Sequence, residues 1–331
     1  MCLIGVAVDV PGPWLLVVAA NRDEFHDRHT APAARWDRDE KDGILAGRDL
    51  QGGGTWLGLR RPPSERSIRI AALTNLRPGL MPAAPVDLVR GPGVRPSVPP
   101  SRGRLVTAFL RADMAPADFL GSLDPPAAAF AGFNLLALAL HGVRGDGDTD
   151  AGAAGSAPAV DAWYLNNLPG VQPRRLRAGL HVVSNATLDV PWPKTELLQG
   201  ALTRALHDTG VQRRPDPLRL CERLLNALAD RTPAAERDLP QTGLDPARER
   251  LLSAPFIADD HYGTRCSTVI VVSRSGEVTF CERSFGPAGR PLGTVVETPG
   301  SLRGRRRDPR IDPALRVGSE RDACGVAEPG R

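Results

Sequence analysis

Lysine is almost missing from this chain. Its 331 residues include only Lys41 and Lys194 against forty arginines. With abundant Ala, Gly and Pro, that skew points to a GC-rich coding sequence rather than to a function. Aromatic residues are also scarce at 5%, so a core has to be built from Leu, Val, Ala and Ile. Net charge is +4, and most of it lies from Arg303 onward, where eight arginines face five acidic residues. The rest is close to neutral, which excludes a broad basic field for nucleic acid. The five cysteines, Cys2, Cys221, Cys266, Cys281 and Cys324, are odd in number, widely spread and free of any C-x-x-C spacing. That pattern argues against a disulfide framework and for a reducing compartment. No apolar run approaches the ~20 residues of a membrane span. The apolar start is a poor signal peptide, because no basic residue precedes Arg22 and Asp9, Pro11 and Pro13 interrupt it. A soluble, cytoplasmic protein is expected.

Several catalytic signatures are missing as well. Gly52-Gly53-Gly54-Thr55 lacks the G-x-x-x-x-G-K-[ST] pattern and leads into a strand, so it reads as a tight turn and not as a phosphate loop. There is no G-x-S-x-G elbow for a serine nucleophile. His26 and His29 share a loop with Asp23 and Asp27 but lack further ligands at useful spacing, so no metal site is expected. Arg305-Arg306-Arg307 reads as part of a solvated tail.

What the chain does have is an unusual beginning. Leu3–Val8 and Trp14–Ala20 are apolar, β-branched runs separated by a Pro11-Gly12-Pro13 turn. Paired as a hairpin, partners sum to about 23, which sets Cys2 opposite Asn21 and beside Arg22 and Asp23. Removal of Met1 would leave Cys2 as the first residue, with an α-amine (reference pKa roughly 7.7–8.0) and a thiol (roughly 8.5) on one residue. Proton transfer between them is then nearly isoergic, as a base and nucleophile require. Asp23 is placed to hold the amine.

Further on, strands are expected at 56–59, 68–73, 132–140, 163–165, 181–184, 268–272 and 277–280, and helices at 103–112, 193–208 and 220–228. Residues 26–43 read as loop and polar connection. Strands grouped in hairpins with helices between groups predict an α+β protein with antiparallel sheets covered by helices. The expectation is one domain over 1–285, surface insertions at about 78–101 and 142–160, and a disordered tail over 286–331.

Asn21-Arg22-Asp23-Glu24 is followed in order by Gly53-Gly54-Thr55-Trp56-Leu57-Gly58, Ala72-Leu73-Thr74-Asn75, Gly132-Phe133-Asn134-Leu135, Ser184-Asn185-Ala186, Pro191-Trp192-Pro193-Lys194, Gly263-Thr264-Arg265 and Phe280-Cys281-Glu282-Arg283. This ordered series resembles the NRDE family, the family of the transport and Golgi organization proteins. The resemblance implies a four-layer αββα sandwich like that of N-terminal nucleophile hydrolases. The resemblance alone fixes no reaction; taken with the hairpin geometry it leads to the expectation of an N-terminal-cysteine amidohydrolase that cleaves a small amide through a thioester and needs no cofactor. Cys2 is then the nucleophile, with Asp23 and Arg22 beside it. Asn185 supplies an oxyanion-hole amide, helped by Asn75, and Arg265 faces the thiol. The alternative implied by the family is a carrier or trafficking protein for haem or an acyl-CoA-like lipid, with His261 beside Tyr262 the nearest thing to a haem ligand.

Overall fold

The structure, a computed structural model, describes residues 2–36, 43–61, 67–81, 99–123, 129–142, 158–210 and 215–298. In chain order the strands are β1 (Cys2–Val8), β2 (Trp14–Phe25), β3 (Thr30–Arg35), β4 (Ile44–Asp49), β5 (Leu57–Arg60), β6 (Ser67–Asn75), β7 (Phe133–His141), β8 (Ala159–Asn166), β9 (Arg174–Arg175), β10 (Gly179–Val183), β11 (Tyr262–Ser273), β12 (Val278–Phe285) and β13 (Pro291–Glu297). The helices are α1 (Gly103–Arg111), α2 (Pro116–Gly121), α3 (Pro193–Gly210), α4 (Pro217–Leu228) and α5 (Pro246–Leu251). Two antiparallel sheets result, one ordered β10-β1-β2-β11-β12-β13 and the other β3-β4-β5-β6-β7-β8-β9.

Side-chain alternation along these strands makes three apolar layers. Ile4, Val6, Val18, Ile270 and Phe280 meet Leu57, Leu59, Ile70, Leu136 and Leu138 between the sheets. Alternate residues of the first sheet, Leu3, Val17, Ala19 and Val269, pack under Leu198, Leu202, Leu220 and Leu224 of α3 and α4. Ala71, Leu73, Leu135 and Ala137 of the second pack under Val106, Phe109, Phe119 and Leu120 of α1 and α2. The order is helix, sheet, sheet, helix: the αββα sandwich. Among the described residues no helix is long and apolar enough to cross a membrane.

The first hairpin forms, with a register one residue from that expected. Cys2 faces Arg22, and Asn21 faces Leu3. The connection sets this register, with Asp9 (φ 44) and Gly12 (φ 117) both left-handed and the Asp9 N–H donating to Leu15 O at 2.9 Å. A slip of one residue exchanges the two faces of a strand, so Arg22 shares the between-sheet face with Cys2 and Asn21 turns to the helices.

Two further differences concern strands. β3 occupies the stretch read as loop, because it is an edge strand with an irregular register and Pro32, and it lacks the alternation that marks a half-buried strand; β4 follows it where no strand was expected. The sheet also continues beyond residue 285, where the tail was expected. β13 pairs with β12 and adds a strand at the edge through Leu292–Glu297. Residues 299–331 and most of the two insertions lie outside the described residues.

The glycine turn behaves as a turn and also lets two backbones meet. A Cβ on Gly54 would stand 2.5 Å from the carbonyl oxygen of Gly103, where α1 begins. Backbone cannot rotate out of the way as a side-chain tip can. Gly54→Ala is expected to destabilise the fold by about 1–3 kcal/mol, the usual cost of overpacking, read as a lower midpoint in urea.

Candidate active site

Cross-strand pairing runs one row of residues over four strands on the between-sheet face. Cys2 faces Arg22, Arg22 faces Cys266, and Cys266 faces Ser284. The next row inward is Ile4, Ala20, Thr268 and Glu282. At this end the sheets part around a cavity of about 760 Å³, lined by Cys2, Arg22, Asp23, Asn75, Arg265 and Cys266 among others. Five arginines (Arg22, Arg28, Arg48, Arg102, Arg265) and four carboxyls (Asp23, Glu24, Asp49, Glu282) contribute to its wall. Apolar surface comes from Trp56, Leu73, Phe285, Leu292 and Val295.

Burial pushes the Cys2 thiol upward in pKa, and the charge of Asp23 adds to this. Arg22 and a hydrogen bond from the Asp23 backbone work in the opposite direction. Ser184 Oγ donates to the Cys2 carbonyl at 2.9 Å, tying the start of β1 to the end of β10. Asp23 takes the opposite face from Arg22, where Thr264 Oγ1 donates to its carboxylate at 2.7 Å and Tyr262 donates to its carbonyl at 3.1 Å. Burial raises its pKa, while Lys194, Thr264 and Arg22 lower it.

Arg265 lines the cavity but lies outside the row of Cys2, Arg22 and Cys266. It is the extra residue of a β-bulge between Thr264 and Cys266, and a bulge re-aims its side chain. Its guanidinium instead clamps the preceding loop, donating to the carbonyls of Phe25 (2.7 Å) and Arg28 (2.9 Å) and to Thr30 Oγ1 (3.0 Å). Arg22 holds the position beside the sulfur.

Asn185 stands behind the cavity wall. It is buried, and its amide donates to the Asn75 carbonyl at 2.8 Å. Asn75 itself lines the cavity. Behind both, Asn134 Nδ2 donates to Thr74 Oγ1 (2.8 Å) and the Ala186 carbonyl (2.9 Å), and Tyr164 donates to Asn134 Oδ1 (2.6 Å). Thr74 Oγ1 donates to the Ser184 carbonyl. The tetrapeptides that looked separate in sequence therefore meet in one buried network between the sheets.

Sequence reasoning missed three charged residues here. Asp49 organises the glycine turn, accepting from Gly52 N at 2.9 Å and from Arg28 Nη2 at 2.7 Å. Despite burial, these bonds hold its carboxyl below the usual range. Glu282 accepts from Ala33 N (2.6 Å) and Thr268 Oγ1 (3.0 Å), joining the two sheets, and burial raises its pKa. Lys194, at the start of α3, is buried and donates to the Leu252 carbonyl at 3.1 Å. The available signal was a charge at a core position, since Glu282 is two residues from the buried Phe280 on an alternating strand.

The profile of the Transport and Golgi organisation 2 family matches residues 1–287 of this chain. The chain belongs to that family. A homologue from Mus musculus is 32% identical over 296 residues, covering 86% of this chain and 93% of the mouse protein. Homologues from Bos taurus (33%) and Homo sapiens (32%) match with the same coverage. The family motifs, distant in sequence, converge on the cavity and on the network behind it. His261 and Tyr262 do not line the cavity, and its wall offers no histidine or tyrosine among the described residues. The donor set therefore does not suit haem held through an imidazole or phenolate, and no step is derived through haem.

Burial brings Lys194 down to about 8, with the Asp23 carboxylate opposing that shift. Between about pH 8 and 10.5 the unfolded chain holds a proton that folded Lys194 has released, so stability rises with pH across this window. Lys194→Met is expected to flatten that rise by up to about 3 kcal/mol, measured from urea midpoints across the window.

Proposed function

We propose that the cavity is the active site of an amidohydrolase of the N-terminal nucleophile type, in which Cys2, freed by removal of Met1, cleaves a small amide. The supporting observation is the placement of residue 2: its thiol faces the cavity beside Arg22, while the Asp23 carboxylate lies on the other side of the same strand plane.

The free amine takes the thiol proton, and the sulfur attacks the amide carbonyl to form a C–S bond. Arg22 favours the thiolate. Asp23 holds the resulting ammonium group. Asn75, positioned by Asn185, donates to the oxyanion, an interaction whose loss typically costs about 2.7–4 kcal/mol. As the C–N bond breaks, the ammonium returns its proton to the departing amine. Water, deprotonated by the same amine, then hydrolyses the thioester to a carboxylic acid and restores the thiol. Arg265 keeps the 25–30 loop against the cavity and takes no part in proton transfer.

A carrier of acyl-CoA-like lipids is the second reading, favoured by the apolar wall and by Leu292, 53% exposed at the cavity. The readings separate on one experiment. Intact mass of the purified protein is expected to show loss of Met1, and Cys2→Ala is expected to abolish turnover of an amide panel. Equal rates for the two proteins, or a retained Met1, would end the hydrolase reading. Saturable acyl-ligand binding that survives Cys2→Ala, with no turnover by either protein, would establish the carrier.

A further inference from the structure

We infer that Arg22 anchors a carboxylate on the ligand, so that the compound taken by this cavity is an amide with a single negative charge a few bonds from its reacting carbonyl. This inference rests on the proposed hydrolase reading for the word amide; the anion site stands on Arg22 alone.

Arg22 is 7% exposed and lies in the cavity wall. Its Nη1 makes no hydrogen bond among the described residues. Its neighbours in the row, Cys2 and Cys266, carry thiols that burial pushes upward in pKa. The carboxylate nearest to Arg22, Asp49, stands 3.9 Å from Nη2 and is already held by Arg28 at 2.7 Å. Glu282, one row deeper, is occupied by Ala33 and Thr268. A guanidinium withdrawn from water with an unused N–H is costly unless an acceptor completes it, and carboxylates match its planar fork.

Charge and position narrow the class. Five arginines contribute to the wall, and a carboxylate is the anion whose planar fork matches a guanidinium. Arg102 adds to the field at the Cys2 sulfur. Facing residues in an antiparallel pair have Cβ atoms about 4.5–5.5 Å apart, so an anion bound at Arg22 sets nearby atoms of the same ligand against Cys2. An N-acyl amino acid has this layout, and its acyl chain would run along Phe285, Leu292 and Val295.

The test uses the full-length chain and two probes, N-decanoylglycine and its neutral counterpart N-decanoylglycinamide, titrated calorimetrically. The carboxylate is expected to bind at least about tenfold tighter than the carboxamide. Arg22→Gln should bring that ratio close to one with little change for the carboxamide, and Arg22→Lys should retain part of it. A ratio near one in the wild-type protein, or an unchanged ratio in Arg22→Gln, overturns the inference. If Arg22→Gln does not fold, the wild-type ratio and Arg22→Lys still decide. Cys2→Ala separates the two claims. It should keep the carboxylate preference while losing turnover. Cys2-dependent cleavage of neutral amides with no preference sinks the anion site alone, and preference without Cys2-dependent cleavage sinks the hydrolase alone.

Discussion

A positive charge fixed between two sheets is the constraint on which the rest of this structure depends. Arg22 lies in the second half of β2, which is paired on both sides, by β1 and by β11. It cannot swing to solvent, and hydrophobic side chains cannot close over it without leaving its N–H groups unsatisfied. Where Ile4, Val18 and Ile270 let the sheets pack deeper in the sandwich, the row containing Arg22 holds them apart. The cavity opens at that row, with Asp49 3.9 Å from the guanidinium and held by Arg28.

Alternation along the same strand then divides the chemistry between two faces. Arg22 and Cys2 look into the cavity, whereas Asp23 and Asn21 look toward the helices. There Asn21 Nδ2 is held by the carbonyls of Leu228 and Pro255, each at 2.8 Å. Asp23 is held by Thr264 and lies within the field of Lys194. Cys2, the first residue of β1, stands opposite Arg22, whose neighbour along the strand, Asp23, faces the helices.

The buried network from Tyr164 through Asn134 and Thr74 to Ser184 gives that corner its rigidity. It links β8, β7 and β6 of one sheet with the end of β10 in the other. Ser184 passes the restraint on to the Cys2 carbonyl. Fully bonded polar networks of this kind fix a unique packing where apolar contacts alone would permit sliding. Asn185 belongs to this support: it orients Asn75 instead of reaching the cavity.

Much of the architecture was legible from local pattern. Alternating apolar runs and turn residues located nine of the strands and three of the five helices, and the order of short motifs placed the chain in its family. Edge strands escaped because they bury little: β3 is a run of alanines around Pro32, and β13 begins with two exposed residues and is at most half-buried after them. Site residues were legible where they cluster in sequence, as at 21–24, and not where a lone charge such as Glu282 or Lys194 acquires meaning only from partners far along the chain. The sequence by itself determined that β1 and β2 form a hairpin and that Cys2 ends beside Arg22 and Asp23. Only the tertiary structure decided which of those residues shares the sulfur's face, and that a bulge sets Arg265 at the cavity wall to clamp a loop. The physical reason is that periodicity is a local property, whereas facing depends on a register, and a register is settled by turn geometry and by pairing with strands more than two hundred residues away.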